Sequence, residues 1–182
     1  MKAGRRHLFL TGERRVGKST ILRRVIERRG LRCSGFETRP LMIGGERRGY
    51  LLHVRVPKPA DRNDTVACLR VTQQRMVPVL PVFEENGAAI LRASLIAPEP
   101  FILMDELGRL ERDAAEFCTQ VLACLDSEKR VIGVLQQCDA PLIDAIRARD
   151  DVQVLTVTEE NRDAICAMLC EDDNWKSEDE TR

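Results

Sequence analysis

Aromatic residues make up only 4% of this 182-residue chain, and neither charge is in excess, with 29 lysines and arginines against 29 aspartates and glutamates. A dedicated nucleic-acid binder needs a basic face and stacking rings, so both shortages argue against one. No apolar run approaches the roughly 20 residues of a membrane span. A signal-type segment is also lacking, and cytoplasmic residence is the expectation. The seven cysteines, at 33, 68, 118, 124, 138, 166 and 170, are odd in number and contain no C-x-x-C pair. That excludes a disulfide framework and points to reduced thiols in apolar patterns. Cys166 and Cys170 share a helix face, but a metal site there would need two more ligands, and none is evident nearby.

What remains is a folded α/β composition, 43% apolar and 32% charged, long enough for one compact domain. The basic side is nearly all arginine and comes in pairs: 5–6, 14–15, 23–24, 28–29 and 47–48. Such pairs are either a solvated, salt-laced surface or an anion-attracting face near a phosphate site.

The phosphate site is legible. Gly12-Glu13-Arg14-Arg15-Val16-Gly17-Lys18-Ser19 fits G-x-x-x-x-G-K-[ST], in which main-chain N–H groups wrap polyphosphate oxygens. Lys18 then reaches the terminal phosphates and the Ser19 hydroxyl holds Mg²⁺. Residues 6–10 before it read as a buried strand. Ile21, Leu22, Val25 and Ile26 after it have helical spacing, with Gly30 as the stop.

Along the chain, 31–36 reads as a second strand. The runs 41–43 and 50–54 flank Gly44–Gly49 as a β-hairpin, ended by Pro57-Lys58-Pro59. A polar loop is expected over 58–65, edge strands or irregular pieces over 66–71 and 77–83, and a helix in the second half of 84–97. Further strands are expected at 101–104, 131–135 and 152–157. They alternate with helices over 111–126, 140–149 and 158–170, and a charged, frayed tail over 171–182 includes Trp175. The order implies a mostly parallel sheet covered by helices on both faces, with a small antiparallel hairpin at one edge. Residues 1–170 form a single domain in this reading, and ligands belong at the carboxyl ends of the strands.

A second motif falls at that end. Phe101-Ile102-Leu103-Met104-Asp105-Glu106 is an apolar strand ending in two acids. Beside a phosphate loop, Asp105 joins the magnesium shell next to Ser19, and Glu106 is placed to orient or deprotonate a water. Gln136 and Gln137, after the 131–135 strand, are either γ-phosphate sensors or plain loop residues.

Together with Gly35-Phe36-Glu37-Thr38-Arg39, Arg48-Gly49-Tyr50, Asp105-Glu106-Leu107-Gly108-Arg109-Leu110-Glu111 and Asn161-Arg162-Asp163, these motifs resemble the nucleoside triphosphatases first described from thermophiles, over roughly residues 5–170. The resemblance implies a RecA-like P-loop domain and slow, Mg²⁺-dependent hydrolysis of ATP, GTP and other nucleoside triphosphates with little base preference. It also implies Lys18 on the β/γ-phosphates, Ser19 and Asp105 at the metal, Thr20 near the α-phosphate and Glu106 as general base. Arg109 fills the family's Lys/Arg position, either as charge for the departing phosphates or in an ion pair with Glu111 or Asp113. Where the family's loop commonly reads Gly-x-Pro-Gly-Val-Gly-Lys, this chain has Arg14 and Arg15, and an arginine does not take φ > 0 freely. Two other readings use the same loop. A nucleotide or small-molecule kinase would need a lid, for which Arg147, Arg149 and Arg162 are candidates. A nucleotide-dependent switch on RNA or protein would use hydrolysis as a timer. A monomer is expected.

Overall fold

The layers follow from the alternation of strand β1 (His7–Gly12). Leu8 and Leu10 enter one core cluster with Ile21, Leu22, Val25 and Ile26, whereas Phe9 enters the other with Phe36 and Phe117. Successive strand residues face opposite ways, so one sheet acquires a core on each side. The computed structural model describes residues 5–55, 64–172 and 175.

Helix α1 (Lys18–Arg28) buries Ile21, Leu22, Val25 and Ile26 and exposes Arg23, Arg24 and Arg28. Each buried aliphatic side chain is worth about 1.5–3 kcal/mol, and this stripe, more than intrinsic propensity, holds the helix. Then come β2 (Cys33–Ile43), β3 (Glu46–Val54), β4 (Asp64–Arg70) and β5 (Met76–Pro78). A π-helical stretch, Val82–Gly87, leads into α2 (Ala88–Ile96). The chain continues through β6 (Phe101–Leu107), α3 (Ala115–Asp126), β7 (Arg130–Leu135), α4 (Pro141–Arg147), β8 (Val152–Val157) and α5 (Arg162–Glu171).

The eight strands form one sheet in the order β5-β4-β3-β2-β6-β7-β1-β8. From β2 to β8 the pairs are parallel, and from β2 to β5 they are antiparallel. Helices α1 and α5 pack together on one face, and α2 and α3 on the other. The expected antiparallel hairpin at one edge is therefore present and wider than expected, because β4 and β5 join it.

Other expectations shift locally. The strand pieces 31–36 and 41–43 are one strand. Cys33–Glu37 pairs with β6, and β2 then runs on beside β3 alone. Long-range pairing carries the backbone through Glu37–Pro40, where local sequence offers no apolar run. Residues 64–65, expected in a loop, begin β4, while 58–63 of that loop and 57–59 of the Pro-Lys-Pro run lie outside the described residues. Residues 82–83 turn helical. The helix expected from 111 starts at Ala115, because Glu111 is committed elsewhere.

Trp175 is buried against Phe101, ring centroids 6.2 Å apart, with the Arg130 guanidinium 4.4 Å from its ring centre. Arg29 at the end of α1 donates to the carbonyls of Cys170 (3.3 Å), Asp172 (3.0 Å) and Trp175 (3.0 Å). The frayed tail expected over 171–182 thus does not hold at Trp175; residues 173–174 and 176–182 lie outside the described residues. Removing a buried large aromatic side chain costs about 3–5 kcal/mol, so Trp175→Ala should lower the denaturant midpoint accordingly. A midpoint equal to wild type would show that this ring adds nothing to the core.

Candidate active site

The loop that follows β1 is shaped by its neighbours. Gly12 has φ +136°, and a Cβ there would meet the Val157 carbonyl oxygen at 2.2 Å, so the first glycine of the motif is demanded by the β8 backbone. Thr11 donates its hydroxyl to the Leu135 carbonyl (3.0 Å), which ties the ends of β1 and β7 together. Arg15 takes φ 65°, the left-handed conformation that costs a side chain about 1–2 kcal/mol. The residue that stands where the family has glycine is thus the residue that adopts glycine's geometry.

Helix α1 then begins with no side-chain cap and no acid in its first turn. Its first N–H groups lack intrahelical acceptors, and with the positive end of the helix they form a cradle for an anion. Lys18 is buried, and its Nζ donates to the carbonyls of Gly12 (2.8 Å) and Glu13 (2.7 Å), folding back over the loop. Burial pushes the ammonium below its ordinary pKa; Glu106 and Asp105 oppose this and Arg14 adds to it.

The opposite wall comes from β6. Phe101 and Leu103 face the α1 side of the sheet, and Ile102 and Met104 the other. Asp105 continues the first row and accepts the Ser19 hydroxyl at Oδ1 (3.0 Å). It is buried, and burial drives its carboxyl up to about 7, with Glu106 and Glu37 adding to the rise and Ser19 and Arg23 opposing it. A buried carboxylate beside a hydroxyl is a hard-oxygen pair that suits Mg²⁺. No cluster of three or more His, Cys, Asp or Glu gathers for a metal among the described residues. A divalent ion here would complete its shell with water and phosphate, as Mg²⁺ does.

Glu106 is held from the next strand. Strand β7 lies between β1 and β6, so its end points between the loop and the acids. There Gln136 donates its main-chain N–H to the Leu107 carbonyl (2.8 Å) and its side-chain Nε2 to Glu106 Oε1 (2.5 Å). Gly108 makes room for this, since a Cβ on it would lie 2.2 Å from the Gln136 amide carbon. Glu111 turns back under the same segment and accepts the Gly108 N–H. Burial lifts its carboxyl to about 7; the Gly108 bond opposes and Glu106 adds to the rise.

These groups open on a cleft of about 870 Å³. It brings together Arg14, Arg15, Gly17, Lys18, Ser19, Thr20, Asp105, Glu106, Arg109 and Gln136. Glu13 is exposed and Val16 is buried beneath the loop. Arg109 is exposed without an ion-pair partner among the described residues; Glu111 goes to Gly108, and Asp113 pairs with Arg112 at 3.3 Å. Gln137, Arg147 and Arg149 line a different depression, beside β8, and Arg149 is tied to Asp126 and Asp151, so this arginine group is not a lid over the loop. Arg162 opens α5 and does not line the cleft.

Sequence reasoning assigned no role to Glu37, cast Glu111 only as a possible ion-pair partner of Arg109, and did not assemble the far wall of the cleft. Glu37 lies in register with Asp105 and accepts Arg39 Nε at 2.9 Å. Its signal was only its place in a Gly-Phe-Glu-Thr-Arg run. The far wall, on β3 to β5, includes Arg47, Tyr50, Arg70 and Arg75; Arg47 and Tyr50 fall in runs the sequence singled out, but nothing local joins them to Arg70 and Arg75.

A parallel sheet with a glycine phosphate loop after β1 and an acid-tipped strand two places away defines a P-loop protein of the α/β class. The relatives narrow the class. A family profile described as NTPase matches residues 7–170, and the chain belongs to that family. It is 30% identical to the cancer-related nucleoside-triphosphatase of Homo sapiens, over 86% of this chain and 90% of that protein. It is 28% identical to the nucleoside-triphosphatase THEP1 of Thermotoga petrophila, over 87% of each. Among solved structures, THEP1 from Aquifex aeolicus superposes with a TM-score of 0.71 at 25% identity, covering 91% of this chain and 99% of that one. The human cancer-related enzyme's solution structure gives 0.66 at 28% identity, covering 89% and 94%.

The buried Glu111 carboxyl gives a pH signature. Its carboxyl ionises near 4.5 in the unfolded chain and near 7 in the native state. Between these values the unfolded chain has lost the proton and the native state keeps it, so rising pH erodes stability. Glu111→Gln, whose oxygen can still accept the Gly108 N–H, should be more stable than wild type by up to about 3 kcal/mol above neutrality. The gap should close as pH falls to 4.5. A gap independent of pH, read from denaturant curves, would exclude Glu111 as its source.

Proposed function

We propose that this protein is a Mg²⁺-dependent nucleoside triphosphatase. It cleaves the terminal phosphate of ATP, GTP and other nucleoside triphosphates, giving the diphosphate and inorganic phosphate with little regard for the base. The observation that carries this reading is the 3.0 Å contact from Ser19 to Asp105, with the Glu106–Gln136 pair beside it. Two motifs 86 residues apart in sequence meet where a terminal phosphate, a metal and a water would have to meet. The relatives' printed name, nucleoside-triphosphatase, specifies no base and supports the broad reading.

In this mechanism the loop N–H groups from Glu13 to Thr20 grip the phosphates, and Lys18 lends its charge to the β/γ oxygens. Ser19 and Asp105 would hold Mg²⁺, which would supply positive charge against the phosphates. Glu106 takes the proton of the attacking water. Gln136 occupies one oxygen of that carboxylate and so fixes its direction while leaving the other for water. Arg109 stands in the cleft as a cation free to meet the charge that builds on the leaving group. The seven cysteines are all free thiols, which supports residence in a reducing cytoplasm. We take residues 1–170 to act as one domain and one monomer.

The test is phosphate release from ATP, GTP, CTP and UTP with and without Mg²⁺. Glu106→Gln should lower kcat by about 10²–10⁴-fold while nucleotide affinity stays near wild type. Lys18→Ala should abolish turnover. Normal release by Glu106→Gln would remove the general-base assignment, and normal release by Lys18→Ala would remove the site.

A further inference from the structure

The cleft continues past the catalytic acids. Beyond Glu106 its wall is the antiparallel ribbon of β3, β4 and β5, which carries Arg47, Tyr50, Arg70, Arg75 and Met76, with Phe83 at the base. Phe83 is buried, and the Arg47 guanidinium lies 5.3 Å from the Tyr50 ring centre. The Arg47 Nε is buried without a hydrogen-bond partner, an uncompensated donor of the kind a ligand satisfies. Arg70 and Arg75 have no ion-pair partner among the described residues. The turn bearing Arg75 is fixed, because Thr72 accepts the Arg75 N–H at its hydroxyl (3.0 Å) and Val71 N–H bonds the Arg75 carbonyl (3.0 Å). The wall therefore presents an aromatic and thioether surface beside guanidinium groups, one of them carried on a hydrogen-bonded turn.

A triphosphate in the loop leaves this wall uncovered. Its terminal phosphate belongs at Lys18, Asp105 and Glu106, and its α-phosphate at Thr20, so its nucleoside leads away from Glu106. The ribbon lies on the opposite side, beyond β6 and β2. Guanidinium forks match phosphate oxygens, and rings stack on aromatic faces. We propose that the β3–β5 wall is a second-ligand subsite, facing the terminal phosphate across Glu106, for a small phosphate monoester that carries a planar ring, of the nucleoside monophosphate class. This rests on the loop being the triphosphate site.

Tyr50 is the only tyrosine in the chain, so its ring resonances report on this wall. The full-length protein is saturated with a non-hydrolysable ATP analogue and Mg²⁺, and then titrated with adenosine monophosphate, adenosine or inorganic phosphate. The monophosphate should shift the Tyr50 ring signals saturably with the analogue still bound, more tightly than either fragment. Arg70→Ala/Arg75→Ala should weaken the monophosphate by about tenfold or more and leave analogue affinity within about twofold. Displacement of the analogue, silence at Tyr50, or wild-type monophosphate affinity in the double variant would overturn the subsite. So would loss of analogue affinity in that variant, since the arginines would then serve the triphosphate itself. Failure of the wild type to bind the analogue at all would instead strike the loop assignment, which separates the two outcomes.

Discussion

Two opposite charges taken out of water at the carboxyl edge of the sheet set the terms for this molecule. Lys18 and Asp105 are both buried, on different elements, and each is costly to desolvate. Among the described residues neither is held by a direct partner of opposite charge. Lys18 spends two of its protons on loop carbonyls, and Asp105 accepts one hydroxyl. An arrangement of this kind leaves electrostatic demand unmet, of the sort that a polyanion with its cation would meet. The rest of the fold positions the pair: β1 delivers the loop, β6 the acid, and β7 between them holds the spacing.

The half of the cleft made by the glycine loop and the acids of β6 was legible in sequence because it is built from contiguous runs. Gly12 to Ser19 is a backbone shape with a residue code, and Phe101 to Glu106 is a strand with its functional tip attached. The helical stripe of Ile21, Leu22, Val25 and Ile26 is likewise a local pattern. The course of β2 was less legible. Glu37 to Pro40 is polar or helix-breaking, and only pairing with β3 and β6 keeps it extended. Glu111 lay within a helical period but is drawn out of the helix by the Gly108 N–H. Trp175 sits in a charged stretch, and its burial depends on Phe101 and Arg130, contacts that no window of sequence contains. The arginine pairs divide between both readings open to them. Arg23, Arg24 and Arg28 are solvent-facing, whereas Arg14, Arg15 and Arg47 line the cleft.

Conformational cost is concentrated where the ligand would lie. Arg15 holds a left-handed backbone that most side chains avoid, in a loop whose helix lacks a capping side chain. Both features cost stability, and the second leaves N–H groups at the head of α1 without a side-chain acceptor. Stability is recovered in the two apolar layers, where Phe9, Phe36 and Phe117 on one side and Leu8, Leu10 and Leu22 on the other are almost fully enclosed. The division of labour is spatial: packing in the body of the sheet, unsatisfied polarity at its rim.

The three-carbonyl grip of Arg29 has a mechanical consequence. Helix α1 is 11 residues long, about 16 Å, with the phosphate cradle at its head and Arg29 just past its foot. Through that guanidinium the foot is lashed to the turn after α5 and to Trp175. The first helix is thus held at its foot as well as along its apolar stripe, so the segment around Trp175 bears on the same element that carries the loop at its head.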